Sequence, residues 1–127
     1  MKDTRIVIIE DNPMNRELVV DVLEAAGCQV FQAASAEEGI RLVRQLLPSL
    51  VLMDLSLPGM DGLAATRVLK EDPLTSVIPV LAVTALAMRG DEERIRAAGC
   101  NGYIAKPLDV VLLRTEVMRI LETKGTP

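Results

Sequence analysis

Apolar and polar residues follow one another along this chain with two distinct periods. Nearly unbroken apolar runs occur at Thr4 to Ile9 (TRIVII), Leu50 to Met53 (LVLM) and Val80 to Val83 (VLAV). Two more, shorter and half polar, occur at Gln29 to Ala33 (QVFQA) and Gly102 to Lys106 (GYIAK). Short continuous runs without alternation read as strands covered on both faces, and runs with polar positions as edge strands. Between them the spacing turns helical. Met14, Leu18, Val19, Val22, Leu23 and Ala26 form one stripe; Ile40, Val43 and Leu47 a second; Ala64, Ala65, Val68 and Leu69 a third. Leu86 to Ala98 carries a weaker pattern, and Val110, Leu113, Val117 and Leu121 a last one within Asp109 to Glu122.

The punctuation agrees with these boundaries. Asn12 is an N-cap with Pro13 at the first helical position, where a missing N–H costs nothing. Gly27 and Gly99 stand where helices should stop. Ser35-Ala-Glu-Glu38 matches a capping box, and Pro48 closes the helix it opens. Leu57-Pro58-Gly59 breaks the chain after the central strand, and Asp61 caps the helix that follows. That helix ends near Asp72-Pro73, and Pro79 takes the first place of the fourth strand, where proline is tolerated. Gly90 weakens the first turn of the fourth helix, in which Glu92 and Arg96 lie one turn apart for pairing.

Five strands alternating with five helices, with short connections and no hairpin signal, predict a parallel sheet with helices on both faces. The wholly apolar first, third and fourth strands belong inside; the second and fifth, with Gln29, Gln32, Tyr103 and Lys106, belong at the edges. Order 2-1-3-4-5 meets both conditions. The predicted fold is therefore a flavodoxin-like α/β sandwich of three layers, (βα)5. One domain spans residues 1–123, and 124–127 form a frayed tail.

Composition narrows what such a domain does. The chain has 127 residues, 50% of them hydrophobic, and a net charge of −4. It lacks a Lys/Arg cluster, which argues against nucleic acid as a partner. Neither a membrane-length apolar run nor a leader-like start is evident, so a cytoplasmic protein is expected. Cys28 and Cys100 are read as buried reduced thiols. The absence of histidine removes His-based nucleophilic triads and His-ligated zinc. Phe31 and Tyr103 are the whole aromatic complement, too little to stack a flavin.

The chemistry gathers where the strands end. Glu10 and Asp11 follow the first strand, Asp54 ends the third, Thr84 the fourth and Lys106 the fifth. In a sheet of this order, ligands bind outside the carboxyl ends at the switch point between the first and third strands. Any one of these acids alone is equally well a cap or a solvated charge. Together they are harder to dismiss: two carboxylates ~4 Å apart repel by about 4 kcal/mol at an effective dielectric of 20. Lys106 offsets one charge, and an all-oxygen, open site suits Mg²⁺ for the rest. A carboxylate held there is placed to attack phosphorus.

In these five positions the sequence resembles the receiver domains of two-component response regulators, the CheY-like family. It is most similar to DivK-type single-domain receivers through Glu10-Asp11-Asn12, Ala82-Val-Thr-Ala85, Gly90-Asp-Glu-Glu-Arg-Ile-Arg96 and Lys106-Pro107. The resemblance implies that Asp54 accepts a phosphoryl group from a histidine kinase or a histidine phosphotransfer protein. It implies that Glu10, Asp11, Asp54 and the Ser56 carbonyl hold Mg²⁺. Thr84 and Lys106 would then bind the phosphoryl oxygens, with Lys106–Pro107 cis and Tyr103 the rotating aromatic of the switch. Glu10 stands where many members have Asp. Ser56 and Leu86 border the path of attacking water, and apolar Leu86 is expected to prolong the phosphorylated state.

The resemblance further implies a signal that leaves through the fourth helix, fifth strand and fifth helix, where Met88, Val110 and Leu113 are candidate contacts for a downstream protein. Met14 and Asn15, on the first helix, are candidates for kinase docking. The expected protein is a monomer or weak dimer, catalysing only its own phosphotransfer and autodephosphorylation. Rival readings are a flavin binder, a haloacid-dehalogenase-type phosphatase, a phosphorylation-independent pseudo-receiver adapter, and a receiver cut from a hybrid kinase or larger regulator. The first lacks its phosphate loop, and the second finds Ser56 where it needs an acid.

Overall fold

A computed structural model describes residues 4–57, 59–85 and 89–125 of the chain. Pro58, Leu86 and Met88 lie outside the described residues. The elements run β1 (Arg5–Ile9), α1 (Pro13–Ala25), β2 (Gln29–Ala33), α2 (Ala36–Leu46), β3 (Leu50–Asp54), α3 (Gly62–Glu71), β4 (Val80–Thr84), α4 (Arg89–Ala97), β5 (Gly102–Ala105) and α5 (Val110–Gly125). The five strands form one parallel sheet in the order β2-β1-β3-β4-β5, as the apolar pattern predicted.

Side-chain alternation along the strands divides the core in two. Val7, Ile9, Val51, Met53, Val80 and Ala82 pack under α2, α3 and α4 through Ile40, Val43, Ala65, Leu69 and Ile95. Ile6, Ile8, Leu50, Leu52, Leu81, Val83 and Ile104 pack under α1 and α5 through Val19, Leu23, Leu113, Val117 and Ile120. Every residue of β3 and of β4 is buried, which is why those segments read as continuous apolar runs.

The caps are those the sequence named. The Asn12 side chain accepts from the Met14 and Asn15 N–H groups, Ser35 from Glu38, and Asp61 from Ala64. Gly27 and Gly99 end α1 and α4 at positive φ. The Glu92–Arg96 pair forms at 3.4 Å, and both cysteines are buried and outside any disulfide.

Three expectations need correction. Leu47 does not belong to the α2 stripe: it caps the helix in the left-handed region at φ 46° and is 46% exposed. The α5 stripe is Leu113, Val117 and Ile120 rather than one opening at Val110, which is 42% exposed. Leu113, expected among the partner contacts, is fully buried against the sheet. In a run of four apolar helical residues only one direction faces the core, and it is Leu113 that points there. Val110, Val111 and Leu112 are left at the surface.

Candidate functional site at the carboxyl rim of the sheet

The rim of β1 and β3 is built by strand register. Ile9 pairs with Met53, so Glu10 and Asp54 are the next residues on adjacent strands. Both continue the parity of Ile6, Ile8, Leu50 and Leu52, on the α1/α5 side of the sheet. Asp54 is 2% exposed and Glu10 3%; Asp11 is exposed. Carboxylate oxygens of Glu10, Asp11 and Asp54 lie within 4.8 Å of one another.

Lys106 reaches the same spot from β5. Its backbone N–H donates to the Thr84 carbonyl at 2.7 Å, which ties the end of β5 to the end of β4. Its Nζ then lies 3.1 Å from Asp54 Oδ1 and 3.7 Å from Glu10 Oε1. The Lys106–Pro107 peptide bond is cis, as the family resemblance implied.

Asp54 Oδ1 is fully engaged: it accepts from Lys106 and from the Ser56 N–H at 2.9 Å. Asp54 Oδ2 is buried and has no permanent donor against it. A buried oxygen left without a partner is costly unless something else completes the site. Burial, then the hydrogen bond and charge of Asp54, raise the Glu10 pKa to about 7. Burial works against the Asp54 carboxylate too, but hydrogen bonds from Glu10, Ser56 and Lys106 outweigh it and hold its pKa below the usual range. Three hard oxygen donors, one orphaned oxygen and a crowd of negative charge fit a divalent ion such as Mg²⁺.

Thr84 stands apart from this group by parity. Asp54 pairs with Val83, so Thr84 is one residue further along, fully buried on the α3/α4 side. It lines a crevice of about 80 Å³ with Leu55, Asp61, Leu63, Asp91, Arg94 and Ile95. Tyr103 is half-buried against the same layer and lines a surface groove with Glu92 of α4; burial and that carboxylate raise its pKa. Ser56 is exposed beside Asp54 and Pro107 is exposed beyond Lys106. Met14 is 79% exposed and Asn15 half-buried on the first turn of α1, next to Glu10 and Asp11 in the chain.

Two residues organise the rim beyond what sequence reasoning gave them: Asn12, named only as a cap, and Arg16, passed over. Asn12 serves as more than a cap: its N–H donates to Glu10 Oε2 at 3.2 Å. Arg16 extends Nη1 to the Glu10 carbonyl at 2.9 Å. A basic residue one turn into a helix that follows an acidic strand end was the available signal.

The chain matches the family model for the response regulator receiver domain over residues 6–118. It is 48% identical over 105 residues to the polar-differentiation response regulators DivK of Brucella ovis and Brucella abortus, covering 83% of this chain and 85% of theirs. Among solved structures it is similar to the signal receiver domain of a signal transduction histidine kinase from Syntrophus aciditrophicus (TM-score 0.88, 34% identity, 98% of this chain and 95% of that one). It is also similar to the receiver domain of the sensor histidine kinase PA1611 from Pseudomonas aeruginosa (TM-score 0.87, 32% identity, 94% and 98%), whose structure has magnesium coordinated in the active-site cleft. Fold, acidic rim and kinship thus agree, and the chain belongs to the response regulator receiver domains of two-component signalling.

Proposed function

We propose that Asp54 is the phosphoryl acceptor. The observation that carries this reading is the convergence of Lys106 and of the acid pair Glu10-Asp11 on its buried carboxylate. Lys106 and the Ser56 N–H hold Oδ1, while Oδ2 has no hydrogen-bond partner and is the oxygen left for the divalent ion. In the step, a carboxylate oxygen of Asp54 attacks phosphorus of a partner's phosphohistidine; the P–O bond forms as the P–N bond breaks, and the imidazole leaves with the electron pair. Glu10, Asp11, Asp54 and the Ser56 carbonyl would hold Mg²⁺, which when bound neutralises charge on the phosphoryl oxygens. Lys106 stays within reach of one of those oxygens, and Thr84 is the nearest hydroxyl on the next strand.

Charged hydrogen bonds contribute about 1.5–3 kcal/mol each, so Thr84 and Lys106 together supply about 3–6 kcal/mol. Driving a two-state switch from 1:99 to 99:1 takes about 5.5 kcal/mol, so both contacts are needed. The switching surface would be α4, β5 and α5, where Tyr103 and exposed Val110, Val111 and Leu112 sit; Met14 and Asn15 would meet the kinase or phosphotransfer protein. On this reading the protein is a cytoplasmic monomer or weak dimer that signals to a protein target. It turns over only its own phosphoryl group.

The test is phosphorylation by acetyl phosphate or a phosphorylated kinase with Mg²⁺, read by mass spectrometry. The expected result is a single phosphoryl group on the peptide bearing Asp54, absent in Asp54→Ala. Undiminished labelling of Asp54→Ala would overturn the assignment. No labelling of the wild type would favour a phosphorylation-independent adapter.

A further inference from the structure

The acid pair Glu10-Asp11 lies in a loop of three residues between β1 and α1, and that loop is held unusually firmly. The Glu10 N–H donates to Ala33 of β2 at 3.0 Å. The Glu10 carboxylate takes the Asn12 N–H at 3.2 Å. The Asn12 carbonyl takes the Arg16 N–H at 3.0 Å, and the Glu10 carbonyl takes the Arg16 guanidinium at 2.9 Å. Arg16 thus grips the loop on both sides of Asp11, once with its backbone and once with its side chain.

The choice of acceptor matters. Lys106 pairs with carboxylate oxygens, so it competes with any metal for them. Arg16 binds a backbone carbonyl instead. It fixes the loop from behind and leaves the carboxylate lone pairs free. We propose that Arg16 is a positioning residue for the divalent-cation site: its guanidinium sets the Glu10 backbone so that Glu10 and Asp11 present their carboxylates toward Asp54. The inference rests on the reading that this acidic cluster holds Mg²⁺.

Coulomb's law makes the test decisive in sign. Removing a cation beside a cation site should tighten metal binding if charge were all that mattered. Loss of positioning should weaken it. The experiment measures Mg²⁺ affinity by titration calorimetry for wild type, Arg16→Met and Arg16→Gln, with Arg67→Met on the exposed face of α3 as a control for lost charge. Amide exchange of Asp11 and Asn12 is followed by NMR in metal-free protein. Mg²⁺ binding weakened about tenfold in both Arg16 variants, with faster exchange at residues 11 and 12 and little change in β2, is the expected result. Binding as tight as or tighter than wild type in either folded variant overturns the proposal. A wild type that does not bind Mg²⁺ overturns the metal-site reading itself, so the two failures are distinguishable. Should Arg16→Met fail to fold, Arg16→Gln decides alone; if neither folds, Arg16 is a folding residue and the proposal falls.

Discussion

Gly62 is the first residue of α3, and it is packed against the backbone that carries Asp54. A Cβ built there lies 2.4 Å from the Asp54 carbonyl oxygen and 2.7 Å from the Leu55 Cα. Both are main-chain atoms of the strand end, so no rotamer change relieves them. To bring the closer contact even to 3.0 Å, the start of α3 must draw back by about 0.6 Å from β3. Overpacking a core costs about 1–3 kcal/mol, and a backbone-to-backbone clash belongs at the upper end. Alanine returns up to about 1 kcal/mol in helix propensity, less at a first helical position. Gly62→Ala should therefore destabilise the protein by about 2 kcal/mol in urea unfolding. Because the displaced carbonyl belongs to Asp54, phosphorylation by acetyl phosphate should fall at least tenfold, since misplacement near 1 Å costs about a hundredfold. Gly59→Ala is the comparison. Its Cβ meets nothing within 4 Å, and only the positive φ of 75° is penalised, by about 1–2 kcal/mol, with labelling largely kept. A Gly62→Ala protein within about 0.5 kcal/mol of wild type and labelled at the wild-type rate would refute the reasoning.

Three further outcomes follow from contacts at the rim and the base of the sheet. Lys106→Met removes the cation 3.1 Å from Asp54 and 3.7 Å from Glu10; Mg²⁺ should bind several-fold tighter in calorimetry while acetyl phosphate labelling slows about tenfold to a hundredfold. Glu10 binds its proton more tightly folded, at about 7, than unfolded, at 4.5, so its contribution to metal-free stability is present below 4.5 and lost as pH rises through 7. The unfolding free energy from urea titrations should fall across that window with a slope no steeper than about 1.4 kcal/mol per pH unit, and Glu10→Gln or saturating Mg²⁺ should flatten it. Asn101 Oδ1 accepts from the buried Val80 N–H at 2.9 Å and from Lys70 Nζ at 3.3 Å. Asn101→Ala should cost about 1–3 kcal/mol by orphaning that N–H, and Asn101→Asp, which keeps the acceptor, much less.

What the sequence made legible has a common cause. Strands buried on both faces leave an unbroken apolar record, so β3 and β4 could be placed to the residue, and strand order followed from which runs carried polar positions. Acids and a lysine at strand ends stood out against those runs, which is why Glu10, Asp11, Asp54 and Lys106 were found together. Helix faces are harder. The α5 run of four apolar residues gives no phase by itself, and only the packed structure shows that Leu113 faces the sheet and Val110 does not. Backbone-directed contacts leave no pattern either. Arg16 looks like any surface arginine until its guanidinium is seen on the Glu10 carbonyl.

The parity of the sheet also bears on how a charge at Asp54 could be felt elsewhere. Glu10 and Asp54 point toward the α1/α5 layer, where Lys106 joins them, whereas Thr84 points toward α3 and α4. On the reading proposed above, a phosphoryl group on Asp54 would add oxygens that Lys106 can pair with from its present position. Thr84, fully buried and lining the crevice against α4, would have to move to reach them. On the reading proposed above, the group therefore draws together two halves of the core that share only the sheet. The crevice of about 80 Å³ beside Thr84 adjoins Ile95 and the Asp91–Arg94 pair of α4, so on that reading movement of the hydroxyl would bear first on the seat of α4. On that reading Tyr103, beside Glu92 of α4 in a shared groove, would follow that displacement. On that reading the order of movement, α4 before β5, would follow from the side of the sheet that Thr84 occupies.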